Sequence, residues 1–138
     1  MNRRAFLVAV PIVAGSTGAS LLGAALPGTA AAAAEVKVIY VGGWDCEPCS
    51  RWKNQHKPSW LASPEFQRVT WIEVDVPRLK EAYRERYWPG DLKPVLDQLP
   101  QKGGTPRFLI VQDGRVVSNE FGSNKWAQTM TDLRNILR

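Results

Sequence analysis

The sequence predicts an α/β fold in which helices flank one mixed sheet, and three observations lead to this class. A mostly apolar strand at 36–41 runs into a helical segment, and a second strand at 69–75 follows it. A strand, a crossover helix and a strand make a parallel pair. Two further strands flank Asp113-Gly114, a dipeptide typical of tight hairpins. With a last helix the order is βα-βαα-ββα.

The first half of the domain contains two predicted strands joined by a helix. The strand at 36–41 is mostly apolar, as expected of a central strand with both faces covered. Gly42-Gly43 ends it, and a helix should run from Cys46 to about Lys57, where Pro58 breaks or kinks it. The strand at 69–75 is rich in β-branched and aromatic residues.

The second half begins with two predicted helices, because apolar residues recur there at helical spacing. Their stripes are Leu79, Ala82, Tyr83 and Tyr87, then Leu92, Val95, Leu96 and Leu99. Pro89-Gly90 separates the two helices, and Asp91 is the candidate N-cap of the second. Strands at 107–111 and 115–118 form the hairpin. The stripe of the last helix is Trp126, Met130, Leu133 and Leu137, and its candidate caps are Ser123 and Asn124.

Residues 1–34 have the pattern of an export signal. The segment is basic at Met1–Arg4, then apolar, and ends in small residues that offer Ala-x-Ala cleavage sites. The paired arginines followed by Phe6-Leu7 resemble a twin-arginine (Tat) signal, with the Sec route as the alternative. We expect cleavage at the end of this segment and one domain at 35–138. An uncleaved signal would instead anchor the chain in a membrane.

The charge balance argues against nucleic-acid binding. Removing residues 1–34 takes away two arginines and no acidic residue, so the formal charge falls from +5 to +3. The most basic stretch, at 78–86, alternates with acidic residues, which is typical of a solvated helix face. We therefore expect no nucleic-acid partner.

Cys46 and Cys49 are the only 2 cysteines of the chain. Two thiols at this spacing can close a small disulfide and reopen it, which indicates redox chemistry. A bridge over so short a loop removes little chain entropy, so stabilisation is a poor reason for it. The alternative is a copper or zinc carrier, which would combine both cysteines with the single histidine, His56, and would still need carboxylates. We expect no resident metal and no cofactor.

Two motifs carry a resemblance to a known family. Trp44-Asp45-Cys46-Glu47-Pro48-Cys49 follows the first strand, and Gly103-Gly104-Thr105-Pro106-Arg107-Phe108 opens the third. Together they resemble the thioredoxin superfamily, with its Trp-Cys-Gly-Pro-Cys site and its cis-proline loop. The resemblance covers about residues 35–138 and is greatest for small exported bacterial thioredoxin-like proteins. It implies a thioredoxin-like fold and thiol:disulfide oxidoreductase activity.

The resemblance also implies roles for individual residues. Cys46 is the exposed attacking thiol and Cys49 the resolving one, and a helix N-terminus independently favours a thiolate at Cys46. Pro106 corresponds to the cis-proline beside the disulfide. The backbone of Thr105 would pair with an extended substrate segment, and Trp44 would lie at the rim of the site.

The sequence departs from the family pattern around the first cysteine. Asp45 stands between Trp44 and Cys46, and the variable pair is Glu47-Pro48 rather than Gly-Pro. Acids on both sides of Cys46 disfavour its thiolate. We therefore expect Asp45, Glu47 and Pro48 to tune the redox potential, in the direction of a reductant.

A further departure concerns proton transfer. Tyr40 occupies the position at which thioredoxin carries a buried acid, six residues before the first cysteine. A phenol with an ordinary pKa of about 10 is a poor base. Another group or water must then exchange protons with Cys49, and Glu47 and Glu73 are the candidates from the sequence.

The resulting hypothesis is an exported, periplasmic enzyme that reduces protein disulfides through Cys46 and Cys49. A reductant in an oxidising compartment must itself be re-reduced, so we expect a membrane electron-donor protein as its partner. Two alternatives stay open beside the metal carrier. One is an oxidase that donates its disulfide to folding proteins, and the other is a peptide-binding module that does no redox chemistry.

Overall fold

The computed structural model describes residues 34–138, which form four strands and four α-helices. The strands are β1 (Val36–Gly43), β2 (Thr70–Val76), β3 (Arg107–Gln112) and β4 (Arg115–Phe121). The helices are α1 (Glu47–Gln55), α2 (Lys57–Leu61), α3 (Lys93–Asp97) and α4 (Trp126–Ile136). Residues 1–33, with nearly all of the predicted export signal, lie outside this range. Within it, no helix is long and apolar enough to cross a membrane.

All four strands belong to one sheet with the order β2-β1-β3-β4. β1 is parallel to β2 and antiparallel to β3, and β3 is antiparallel to β4. The predicted mixed sheet, with a parallel pair and a hairpin, is confirmed. β1 is buried along its length except at Lys37, because it has a strand on each side and helices or loops on both faces.

Each face of the sheet is covered by its own apolar core. One core lies under α1, α2 and α4 and is dominated by aromatic rings; its largest members are Tyr40, Trp52, Trp60, Phe108 and Trp126. The other lies under the segment 77–100 and is mainly aliphatic; its members include Ile39, Val41, Leu92, Leu96 and Leu109. Both cysteines belong to the aromatic core.

The helix predicted from Cys46 to Lys57 is divided in two. α1 ends at Gln55, His56 has a non-helical backbone, and α2 begins at Lys57. Pro58 lies in the first turn of α2, where a missing N–H costs nothing. Pro58 therefore helps to begin a helix, whereas the sequence analysis expected it to end one.

The helix predicted over 79–87 is wrong. The segment contains short 3₁₀ turns at Leu79–Glu81, Glu85–Tyr87 and Gly90–Leu92. The indole N–H of Trp88 donates to the carbonyl of Ala82 at 2.8 Å, a side-chain bond that takes the place of a helical backbone bond. The helix expected next is reduced to α3, and Asp91 does not cap it, because α3 begins at Lys93 and its N-cap residue is Leu92. The Asp91 carboxylate lies 3.7 Å from the Lys37 ammonium instead.

The hairpin at Asp113-Gly114 is confirmed. Both residues have positive φ, 50° and 80°, as a primed two-residue turn requires. β4 continues to Phe121, beyond the predicted end at Ser118. α4 is preceded by a 3₁₀ turn at Ser123–Lys125, so its N-cap is Lys125 and neither predicted cap residue is used.

Candidate active site

A disulfide joins Cys46 and Cys49 at the start of α1. Cys46 is the N-cap residue, with extended backbone, and its Sγ accepts a hydrogen bond from the Cys49 N–H at 3.2 Å. Pro48 lies in the first turn, where it is compatible with the helix. The loop from β1 is held by a bond from the Trp44 N–H to the Val76 carbonyl at 2.9 Å. The disulfide is therefore located where the ends of two neighbouring strands meet the N-terminus of a helix.

The two cysteines differ slightly in burial. Cys46 is 3 % exposed and Cys49 is not exposed at all. The sequence predicted an exposed thiol at Cys46, and in this disulfide form that is wrong, because the bridge holds its sulfur at the start of α1 and Thr105 contacts it. Cys46 is still the more accessible of the two residues.

The loop before β3 lies against the disulfide. The Thr105 hydroxyl donates to Cys46 Sγ at 3.2 Å, although the two residues are 59 positions apart. The peptide bond between Thr105 and Pro106 is cis, and Pro106 is buried. The Pro106 carbonyl accepts a bond from the Gly122 N–H at 2.8 Å, which ties the loop to the end of β4. The fold thus places both sequence motifs in one site.

The surface around the disulfide exposes apolar side chains. Trp44, two residues before Cys46, is 67 % exposed. Phe121 is 56 % exposed and packs on Gly104, where an added Cβ would lie 2.3 Å from its ring. An open depression of about 500 Å³ borders the Thr105–Pro106 loop; it is lined by Gln101, Lys102, Gly103, Gly104, Arg107 and Phe121. These features leave an exposed and partly apolar surface beside the Thr105–Pro106 loop.

The acidic neighbours of Cys46 are both engaged in other interactions. The Asp45 carboxylate accepts a hydrogen bond from the Leu79 N–H at 2.7 Å and so fixes the chain after β2. The Glu47 carboxylate pairs with Arg51 at 2.8 Å across one turn of α1. Arg51 offsets part of the Glu47 charge, so the effect of Glu47 on a Cys46 thiolate is weaker than that of a free carboxylate.

A buried arginine that the sequence analysis read only as a strand residue fixes the loop before Pro106. Arg107 is 6 % exposed and donates to the Tyr83 hydroxyl and to Asn119 Oδ1, both at 2.8 Å, and to the Gly103 carbonyl. Tyr83 in turn donates to the Gly104 carbonyl. Burial raises the pKa of Tyr83, and the neighbouring Arg107 cation opposes that rise. No local pattern reveals this clamp, because its members come from three separate parts of the chain.

Arg107→Met should destabilise the protein by about 2–4 kcal/mol, since it leaves three acceptors without their donor. Chemical denaturation would measure the loss, with Arg115→Met, at an exposed position of β4, as the matched control. We also expect faster proteolysis within 101–105. Equal stability of the two variants would contradict the clamp.

His56 is distant from the cysteine pair. It lies between α1 and α2, whereas Cys46 lies before the first residue of α1. A helix of this length separates its ends by about 13 Å at 1.5 Å per residue, so the three residues do not form one ligand set. Among residues 34–138, no group of three or more His, Cys, Asp or Glu side chains is arranged to hold a metal ion.

Solved structures with the same architecture include two thioredoxins. The periplasmic thioredoxin SoxS from Paracoccus pantotrophus, in its reduced form, is 15 % identical over 75 % of this chain and 100 % of its own, with a TM-score of 0.54. Thioredoxin f from spinach chloroplast, in its short form, is 16 % identical over 76 % of this chain and 79 % of its own, with a TM-score of 0.51. The chain has the thioredoxin fold. At this identity the likeness concerns the fold alone, and no family model and no curated protein matches the sequence.

Within the thioredoxin fold, the site combines local and distant residues. The two sequence motifs indicate the cysteine pair, Thr105 and Pro106, and the structure brings these four together. No motif indicates a role in the site for Arg107 and Tyr83, or for Asp75 and Lys53, whose side chains pair beneath α1. The polar residue Asp75 near the end of an apolar strand was the one available signal, since such a residue needs a partner when it is buried.

Proposed function

We propose that this protein is an exported thiol:disulfide oxidoreductase that reduces disulfides in other proteins. The observation that carries the proposal is the Cys46–Cys49 disulfide at a helix N-terminus, with the Thr105–Pro106 loop against it. A helix N-terminus stabilises a thiolate, which is the reactive form of cysteine. The thioredoxin fold around this pair supports the same chemistry.

The reaction has two steps. The Cys46 thiolate attacks one sulfur of the substrate disulfide, which forms a mixed disulfide and releases the other substrate sulfur as a thiolate. Cys49, as a thiolate, then attacks Cys46 Sγ, breaks the mixed disulfide and releases the second substrate thiolate. Two electrons pass to the substrate, and the Cys46–Cys49 disulfide is left. No cofactor takes part in these steps.

Substrate binding is assigned to the surface beside the disulfide. The exposed Trp44 side chain offers an apolar contact, and Thr105 offers backbone groups to an extended segment. Pro106 shapes the loop that presents Thr105. Asp45, Glu47 and Pro48 influence the redox potential through the charge and backbone geometry around Cys46.

The direction of the reaction and the location of the protein belong to the proposal as well. A periplasmic reductant needs a continuous supply of electrons, so a membrane electron-donor protein is its expected partner. The signal pattern at 1–34 supports export. The alternative is an oxidase that passes its disulfide to folding proteins, and it uses the same two cysteines.

Reduction of a protein disulfide, with dithiothreitol as electron source, tests the activity. Cys46→Ala should lower the rate to that of dithiothreitol alone, because no thiolate can begin the exchange. Ser50→Ala, at an exposed position in the next turn, should match the parent protein. A Cys46→Ala variant as active as the parent would overturn the mechanism, and peptide binding that survives the loss of both thiols would favour a binding module.

The reduction potential decides the direction. The protein is equilibrated in glutathione or dithiothreitol buffers and its free thiols are alkylated. The reduced fraction is then quantified by mass spectrometry. A potential near about −270 mV, the range of thioredoxin, identifies a reductant, and one near about −120 mV, the range of a strong periplasmic oxidant, identifies a disulfide donor. Stoichiometric metal binding by the reduced protein tighter than roughly micromolar would support the carrier instead.

A further inference from the structure

Two buried polar groups beneath α1 have no part in the redox cycle described above. Tyr40 is not exposed, and its hydroxyl has no hydrogen-bond partner among the described residues. The Oδ1 atom of Asp75 is likewise buried and without a partner there. A buried polar atom without a partner costs free energy, so each one in a native protein needs an explanation, and a catalytic role is one of them.

The sheet brings these two groups together. Gly42 of β1 is the register partner of Asp75 on β2, so Asp75 faces the same side of the sheet as Tyr40, which stands two residues before Gly42. The Tyr40 ring lies over Gly42, because a Cβ added there would be 2.1 Å from the Tyr40 hydroxyl oxygen. Burial raises the pKa of Tyr40, and the Asp75 and Glu73 carboxylates raise it further. The hydroxyl and the Asp75 carboxylate therefore share one buried region.

The same region lies under the resolving cysteine. Cys49 and Lys53 are four residues apart in α1 and so occupy the same helix face. Lys53 reaches down from that face and pairs with Asp75 Oδ2. Cys49 and Tyr40 belong to the same buried core. Through Lys53, Asp75 is thus tied to the helix face that carries Cys49.

Cys49 needs a nearby base that accepts its proton if the proposed function is correct. Its attack on the mixed disulfide requires a thiolate, and in the disulfide form Cys49 has no surface exposed to solvent. Glu47 is unsuited, because it lies on the surface and pairs with Arg51. Glu73 is already paired with Lys57 at 2.6 Å and accepts the indole N–H of Trp71 at 3.0 Å.

We propose that Asp75 is the proton acceptor for Cys49, which rests on the redox function proposed above. The Cys49 thiol transfers its proton to Asp75 Oδ1, the Cys49 thiolate attacks Cys46 Sγ, and the departing substrate thiolate takes up a proton from solvent. Lys53 is a positioning residue that holds Oδ2. The two side chains are 27 % and 19 % exposed, so the proton can leave from this pair to solvent.

The test separates the two steps of the reaction. The reduced full-length protein is mixed with a disulfide-bonded peptide, and samples are quenched in acid at successive times. The mixed disulfide in each sample is quantified by mass spectrometry. Asp75→Asn should form the mixed disulfide at the parental rate but resolve it roughly 100-fold more slowly at pH 7, the usual contribution of a general base. The matched control is Glu73→Gln, which changes a lysine-paired carboxylate two residues away on the same strand and should resolve it at the parental rate.

The pH profile excludes a purely structural role. The charged and titratable groups that face Asp75 are Lys53, Tyr40 and Glu73, with Lys57 beyond Glu73. In Asp75→Asn the rate of the second step should increase with pH, because the Cys49 thiol must then ionise without a base. A free thiol does so above about pH 8.5. Lys53→Gln keeps the carboxylate but removes the cation that pairs with Oδ2, so the pH profile of the second step should shift from the parental one.

The outcomes distinguish this inference from the proposed function. A parent protein that forms no mixed disulfide would refute the redox function itself. A parent that turns over, with Asp75→Asn equally fast and with an unchanged pH profile, would refute only the role of Asp75. The role of Asp75 would also be refuted if Glu73→Gln slowed the second step as much as Asp75→Asn does. If Asp75→Asn does not fold, Lys53→Gln decides: a pH profile of the second step identical to that of the parent would refute the role of Asp75.

Discussion

Replacing Cys49 by alanine is expected to stop turnover while leaving the first chemical step intact. Cys46 can still attack a substrate disulfide, but no neighbouring thiol then resolves the product. A tethered nucleophile acts at an effective concentration of about 10⁵ M or more, so an external thiol at millimolar concentration is a poor replacement. We expect turnover to fall at least about 1000-fold, and one substrate molecule to stay bound to each chain.

Mass spectrometry under acid quench measures this trapped adduct directly. The parent protein should show it only transiently, whereas Cys49→Ala should accumulate it to one equivalent. Cys46→Ala provides the complementary control, since it should form no adduct at this site. Undiminished turnover by Cys49→Ala, or an adduct on Cys49 rather than on Cys46, would contradict the assigned order of attack.

Trp52→Ala is expected to cause the largest loss of stability. The indole is fully buried and packs on the rings of Tyr40, Trp126 and Phe108, with centroid distances of 4.9, 5.1 and 5.2 Å. Truncating a buried aromatic side chain costs about 3–5 kcal/mol, because transfer and cavity terms add. The whole domain is expected to have only about 5–15 kcal/mol, so the variant should be close to unfolding.

Thermal and urea unfolding measure this loss. A destabilisation of about 4 kcal/mol corresponds to a fall in Tm of roughly 20 °C for a domain of this size. Trp44→Ala is the matched control, because it removes the same side chain from an exposed position and should change stability by less than about 0.5 kcal/mol. Similar losses in the two variants would show that the aromatic core contributes less than its packing indicates.

The strands and the hairpin were predictable because their signals are local. Six buried residues in succession mark the centre of the sheet, and an Asp-Gly pair supplies two positive φ values without help from distant groups. The parallel pairing of β1 and β2 follows from the helix between them. These predictions needed no knowledge of which residues meet across the fold.

The segment from 79 to 87 shows why helical spacing alone was insufficient there. Its apolar residues have helical spacing, but Tyr83 bonds to the loop before Pro106 and Trp88 bonds back to Ala82. These side-chain bonds outweigh a weak local preference, since helix propensities differ by only about 0.7 kcal/mol per residue. The Cys-x-x-Cys pair was visible in the sequence for the opposite reason, because its geometry is fixed within one helical turn.

The position of β1 in the sheet has a consequence for how the chain is made. β1 is the first strand among the described residues, yet its partner β3 comes much later in the sequence, with Val36 paired to Gln112 and Val41 to Arg107. During synthesis, which proceeds from the N-terminus, the most apolar strand must therefore wait for β3 before both of its edges are covered. Contacts so distant in sequence slow folding, and an uncovered apolar strand favours aggregation. The architecture that buries the disulfide thus leaves one edge of the most apolar strand uncovered until β3 has been synthesised.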